Sequence, residues 1–147
     1  MDFMKQALIL ARRATTHDDV PIGAVIVRDG KIIARGENRV QEKSNPTLHA
    51  EIVAINRACK KMGSKFLDDC DIYVSLEPCA MCATALALAR IRRIYFAAPD
   101  IKGGGITSNA RVYDTDRHLW KPDVIQIPEY ADESADMLRD FFRARRK

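Results

Sequence analysis

Asp71-Ile72-Tyr73-Val74-Ser75-Leu76-Glu77-Pro78-Cys79-Ala80-Met81-Cys82 carries an apolar run through a proline into a pair of cysteines. Asp71 to Ser75 reads as a strand. Pro78 suits the first turn of a helix, where its missing N–H costs nothing, so a helix follows. Cys79 and Cys82 are three residues apart and share one face of that helix. There the positive end of the dipole favours the thiolates a metal needs. A second apolar-periodic run, Leu48 to Met62, begins beside His49-Ala50-Glu51, with Thr47 placed as its N-cap. Deep in a helix, residues i and i+2 point about 200° apart. His49 and Glu51 therefore converge only where the chain enters the helix, which calls for a site between two helix N-termini.

Working outward, Phe3 to about Ala14 reads as an amphipathic helix bearing Arg12 and Arg13. Pro21 to Val27 is a buried-type strand, Asp29-Gly30 a hairpin turn, and Lys31 to about Glu37 its partner. Arg93 to Ala97 makes a fourth strand and Val124 to Ile127 a fifth. Ala131 to about Arg146 closes the chain as a helix with Met137, Leu138, Phe141 and Phe142 as its apolar residues. Strand–helix–strand–helix–strand order predicts an α/β fold with right-handed crossovers and a mixed sheet covered by helices. Both site helices then start on one rim of the sheet, where open α/β sheets hold their ligands. Gly103-Gly104-Gly105 lacks the Gly-Lys-Ser/Thr ending of a phosphate loop and reads as a flexible turn.

The 147 residues fit one domain, 1–147, with 47% hydrophobic and 30% charged residues as in soluble globular proteins. Ala83 to Ala89 is too short to span a bilayer, so no membrane partner is expected. The N-terminus reads as a helix and not as a signal peptide. Two of the four cysteines sit at metal spacing, which argues for the reducing cytoplasm over a disulfide framework. The net charge is +4, concentrated in the basic, aromatic tail Arg139 to Lys147 and in Arg90, Arg92 and Arg93. Such segments suit a nucleic-acid partner, through phosphate attraction and base stacking, and also suit a solvated helix end.

A structural zinc site takes four protein ligands, whereas a catalytic one keeps three and an open position. His49, Cys79 and Cys82 supply three, for one Zn2+ per chain, and Glu51 is the carboxylate left to move protons. A redox reading of Cys79 and Cys82 leaves His49 and Glu51 unexplained. Cys59 and Cys70 read as buried packing and His17 and His118 as surface histidines. Tyr113 and Trp120 read as packing or as stacking partners for a substrate.

The paired pattern H-x-E and P-C-x-x-C is the established signature of zinc-dependent nucleobase deaminases. The whole chain resembles the bacterial tRNA-specific adenosine deaminases of the cytidine-deaminase-like superfamily. The likeness runs through Val20-Pro21-Ile22-Gly23-Ala24, Asn38-Arg39, Pro46 to Glu51, Leu76 to Cys82, Ala89 to Arg93, Asp100 to Gly104 and Asp140 to Arg143. It implies a three-layer fold, with a five-stranded mixed sheet and helices on both faces. It also implies conversion of the wobble adenosine of a tRNA anticodon stem-loop to inosine by a homodimer, with no DNA partner. In that resemblance His49, Cys79 and Cys82 hold zinc and Glu51 is the acid/base. Asn38 hydrogen-bonds the purine, and Asp100, Lys102 and Phe142 face the RNA. Gly105 to Tyr113 departs from many members, and Asp68-Asp69-Cys70 also fits some guanine deaminases. Two alternatives follow. One is a deaminase of a free base or nucleoside such as guanine, cytosine or cytidine. The other is a zinc-stabilised RNA-binding module, whose fourth ligand would come from His17, His118 or Glu51.

Overall fold

The computed structural model describes residues 1–145, so Arg146 and Lys147, the end of the basic tail, lie outside the described residues. The five strands are β1 (Gly23–Arg28), β2 (Lys31–Glu37), β3 (Cys70–Leu76), β4 (Arg93–Ala98) and β5 (Asp123–Gln126). They form one sheet in the order β2-β1-β3-β4-β5. β1 runs antiparallel to β2 and β3, whereas β3, β4 and β5 are parallel, so the sheet is mixed as expected.

Strand alternation builds the layers. Ala24 and Ile26, Ile72 and Val74, and Ile94 and Phe96 share one core with Ala50, Ala54 and Ala58 of α3 (Ala50–Met62) and Ala83 and Leu86 of α4 (Ala80–Leu88). Tyr73, Tyr95 and Ala97 turn the other way. They pack with Met4, Ala7 and Leu8 of α1 (Phe3–Ala14) and Met137 of α6 (Ala131–Arg145). This is the three-layer arrangement. Two four-residue helices, α2 (Val40–Lys43) and α5 (Val112–Thr115), were not expected, because one turn is too short to show a period.

Gly36 on β2 brings α3 close. A Cβ there would stand 2.3 Å from the Ala50 carbonyl oxygen and 2.7 Å from the Ala54 nitrogen. The absence of a side chain lets the start of α3, and with it the site, lie directly on the sheet.

Candidate active site

Both site helices begin one or two residues later than the sequence suggested. His49 is the N-cap of α3 and Cys79 the N-cap of α4, each with extended backbone. Thr47 does not cap, because its N–H and hydroxyl both donate to Asn45 Oδ1 in a tight turn. Asn38, at the end of β2, does the capping instead, its Oδ1 accepting the Ala50 N–H at 2.8 Å. With His49 still extended, its ring and the Glu51 side chain reach the same place.

His49 Nδ1 lies 3.6 Å from Cys79 Sγ and 3.6 Å from Cys82 Sγ. All three donor atoms fall within 4.8 Å of one another. Zinc bonds of about 2.05 Å to nitrogen and about 2.3 Å to sulfur, at the tetrahedral angle, put N and S about 3.6 Å apart. The donor set and its spacing fit zinc. Among the described residues this is the one such cluster, and neither His17 nor His118 joins it.

The protein groups alone already polarise the site. The hydrogen bond from Cys82, opposed by burial and assisted by His49, pulls Cys79 down to about 4. Cys82 is pushed far up by its hydrogen bond to Cys79 and by burial. Cys79 raises the His49 pKa against burial. Burial pushes Glu51 up to about 7, and a dication beside it would draw it back down. A carboxyl group buried beside the donor set is placed to take a proton from a bound water and return it.

A small cavity of about 90 Å³ opens at the donor cluster, lined by Ile22, His49, Glu51, Leu76, Glu77, Cys79 and Asp100. A cavity of about 380 Å³ adjoins it along Asp19, Asn38, Gln41, His49 and Phe142. A groove of about 370 Å³ shares Ile22, Leu76 and Asp100 and adds Lys102 and Phe142. Asn38 and Asp100 therefore border the site, and the half-exposed Phe142 separates the two larger hollows. Lys102 stands further out, in the groove alone.

Several residues differ from their sequence reading. Gly103–Gly105 is not a free turn, because Gly104 bridges to Cys79 and Gly105 donates to the Pro78 carbonyl. Glu77, given no role from sequence, organises this loop. Its carboxylate accepts N–H groups of Asp100, Ile106, Thr107 and Ser108 and the Ser108 hydroxyl. An acid between a strand and Pro78, at the rim expected to hold the ligand, was the available signal. His17 is not a surface histidine: it sits between the buried carboxylates of Asp19 and Glu37, whose pairing across the fold no local pattern reveals. His118 is exposed. Cys70 is buried, and half-buried Cys59 packs against the core. Tyr113 is buried with its hydroxyl on the Ala83 carbonyl. Trp120 is about half exposed and donates to the Ile91 carbonyl.

The chain matches the MafB19-like deaminase family over residues 1–146. It is 48% identical to the tRNA-specific adenosine deaminase of Agrobacterium fabrum over 145 residues, covering 98% of this chain and 94% of that one. A solved structure from a study of A-to-I editing by tRNA:A34 deaminases superposes with a TM-score of 0.83 at 48% identity, over 85% of this chain and 96% of that one. A guanine deaminase from Bacillus subtilis superposes with a TM-score of 0.64 at 47% identity, over 66% of this chain and 62% of that one. The chain belongs to the MafB19-like deaminase family, and within it resembles the tRNA-specific adenosine deaminases over nearly its whole length.

Proposed function

We propose that this chain is a hydrolytic deaminase that converts the wobble adenosine of a tRNA anticodon loop to inosine, with residues 1–147 acting as one domain. The observation that carries the chemistry is a buried carboxylate, Glu51, beside three zinc-type donors to which it does not itself belong. The substrate rests on the likeness to relatives named for that reaction.

His49, Cys79 and Cys82 would hold one Zn2+. When bound there, the ion supplies Lewis-acid activation of water at neutral pH. Glu51 accepts one proton of the attacking water and delivers it to the ring nitrogen beside the reacting carbon. It then takes the second proton, from the hydroxyl so added, and passes it to the departing amino group, which leaves as ammonia as the carbonyl forms. Adenosine and water become inosine and ammonia, and nothing is oxidised or reduced. Because Asn38 Oδ1 is occupied by the Ala50 N–H, its amide NH2 is left as a donor for a purine nitrogen. Ile22 and Leu76 supply apolar walls to the reacting end of the base. The base must leave its stack, at a cost of a few kcal/mol met by contacts to neighbouring nucleotides. Asp100, Lys102, Phe142 and the basic tail are the residues we assign to those contacts.

The reading includes a homodimer, a cytoplasmic location and no DNA partner. No helix among the described residues is long and apolar enough to cross a membrane. The test is to incubate zinc-loaded protein with a wobble-adenosine anticodon stem-loop, free adenosine, cytidine and guanine, and to measure ammonia and product in each. Inosine formed in the stem-loop alone is expected. Turnover of a free base with an untouched stem-loop would overturn the substrate.

A further inference from the structure

His17 stands at a junction the mechanism above does not use. Its Nδ1 is 2.7 Å from Asp19 Oδ2 and its Nε2 is 3.1 Å from Glu37 Oε2, with Glu42 Oε2 3.6 Å from Nδ1. Carboxylates only accept hydrogen bonds, and a neutral imidazole has one N–H. Contact with an acid at each ring nitrogen therefore requires two protons. Burial disfavours that cation, and the hydrogen bonds to Glu37 and Asp19 outweigh it, so the His17 pKa is raised.

What the two acids hold is the wall of the larger cavity. Asp19 Oδ1 and Oδ2 accept the N–H groups of Gln41 and Glu42, at the second and third positions of α2. Arg39, the N-cap of α2, makes no side-chain cap, so Asp19 caps the helix from a distance. Glu37 immediately precedes Asn38. The Arg39 N–H returns to the Leu48 carbonyl, beside His49. We infer that doubly protonated His17 is a positioning residue that ties Asp19 to Glu37, and so holds the α2 turn and Asn38 in register against the base pocket.

The other charges facing this junction are accounted for. Arg13 of α1 and Arg39 also pair with Glu37, Arg39 and Lys43 pair with Glu42, and Arg145 of α6 pairs with Asp18. Among the described residues, the ion-pair partner of Asp19 is His17. Loss of the His17 proton would thus leave the α2 cap without its counter-charge.

The effect on catalysis rests on the function proposed above; the protonation state does not. Ring 15N and side-chain amide NMR of the intact wild-type protein across pH 5.5–9, taken as about one unit below to well above the ordinary imidazole value, tests the second. We expect both His17 ring nitrogens protonated through pH 6.5, with the Asn38 amide resonances moving at the His17 midpoint. Stem-loop kinetics of wild type and His17→Gln over the same range test the first. We expect the variant, shown folded by its melting curve, to lose about tenfold in kcat/KM at low pH and the wild type to approach it as His17 deprotonates. A neutral His17 ring at pH 6, or an Asn38 amide indifferent to its titration, overturns the inference. So does a folded His17→Gln with the wild-type pH profile. A wild type inactive on the stem-loop while the NMR couplings hold would instead remove the proposed substrate and leave the clamp standing.

Discussion

Replacing Glu77 with alanine should detach the 100–108 loop from the start of α4. In the native protein Oε2 accepts the N–H groups of Ile106, Thr107 and Ser108 at 3.1, 2.9 and 3.0 Å. Oε1 accepts the Asp100 N–H at 3.0 Å and the Ser108 hydroxyl at 2.8 Å. Ile106 is buried, so its N–H loses its partner outright, at about 1–3 kcal/mol. The exposed or half-buried donors regain water and cost less each. Together Glu77→Ala should lose about 3–5 kcal/mol, a fall in Tm on the order of 10 °C for a chain of this length. Glu77→Gln should be milder. With its oxygen at the Oε2 position it keeps three N–H donors, the Ser108 hydroxyl can turn to accept, and only the Asp100 N–H is lost. That amounts to about 1 kcal/mol. Burial raises the Glu77 pKa, but its N–H and hydroxyl donors outweigh this and hold it below the ordinary carboxylate range. Its stabilisation is therefore full above that range and lost as pH falls through the folded value, so the gap between wild type and Glu77→Gln should close in acid. Urea and thermal unfolding across pH measure all of this. Glu77→Ala within about 1 kcal/mol of wild type, or Glu77→Gln worse than Glu77→Ala, would mean that Glu77 does not hold the loop.

Glu51→Gln should keep its zinc by elemental analysis and lose roughly 10²–10⁴-fold in kcat; near-normal turnover with metal retained would remove Glu51 from acid/base work. Gly105→Ala places a Cβ 2.5 Å from the Ala80 nitrogen and 2.6 Å from the Cys79 carbonyl carbon, both backbone atoms that cannot swing aside. It should cost about 1–3 kcal/mol and weaken metal binding, so unchanged stability and zinc content would contradict the close packing. Prolonged chelation should abolish activity, and added Zn2+ should restore it. Full activity in protein verified free of metal would refute the zinc reading.

The strands and the long helices were legible because their apolar periods are complete within one segment, as in Gly23–Arg28 and Ala50–Met62. The cluster of His49, Cys79 and Cys82 was legible because the paired H-x-E and P-C-x-x-C pattern is a known signature and each half falls at a helix entry, where its donors can converge. Less accessible were features whose partners lie far along the chain. Asn38 caps a helix twelve residues on, His17 bridges to Glu37 twenty residues away, and Glu77 gathers N–H groups about thirty residues downstream. No local period or turn signal encodes such pairings. Gly103–Gly105 shows the same limit from another side. Three consecutive glycines suggest freedom, but the last two are buried because α4 and Glu77 leave no room for a Cβ.

A site that acts on adenosine presented by RNA should discriminate by the position of that adenosine in the loop. Two anticodon stem-loops that differ only in carrying adenosine at the wobble position or at its neighbour, each incubated with the zinc-loaded protein and digested to nucleosides, test it most directly. Inosine is expected from the wobble-adenosine loop and none from the other. Equal conversion of both loops, or of neither while guanine is consumed, would contradict it.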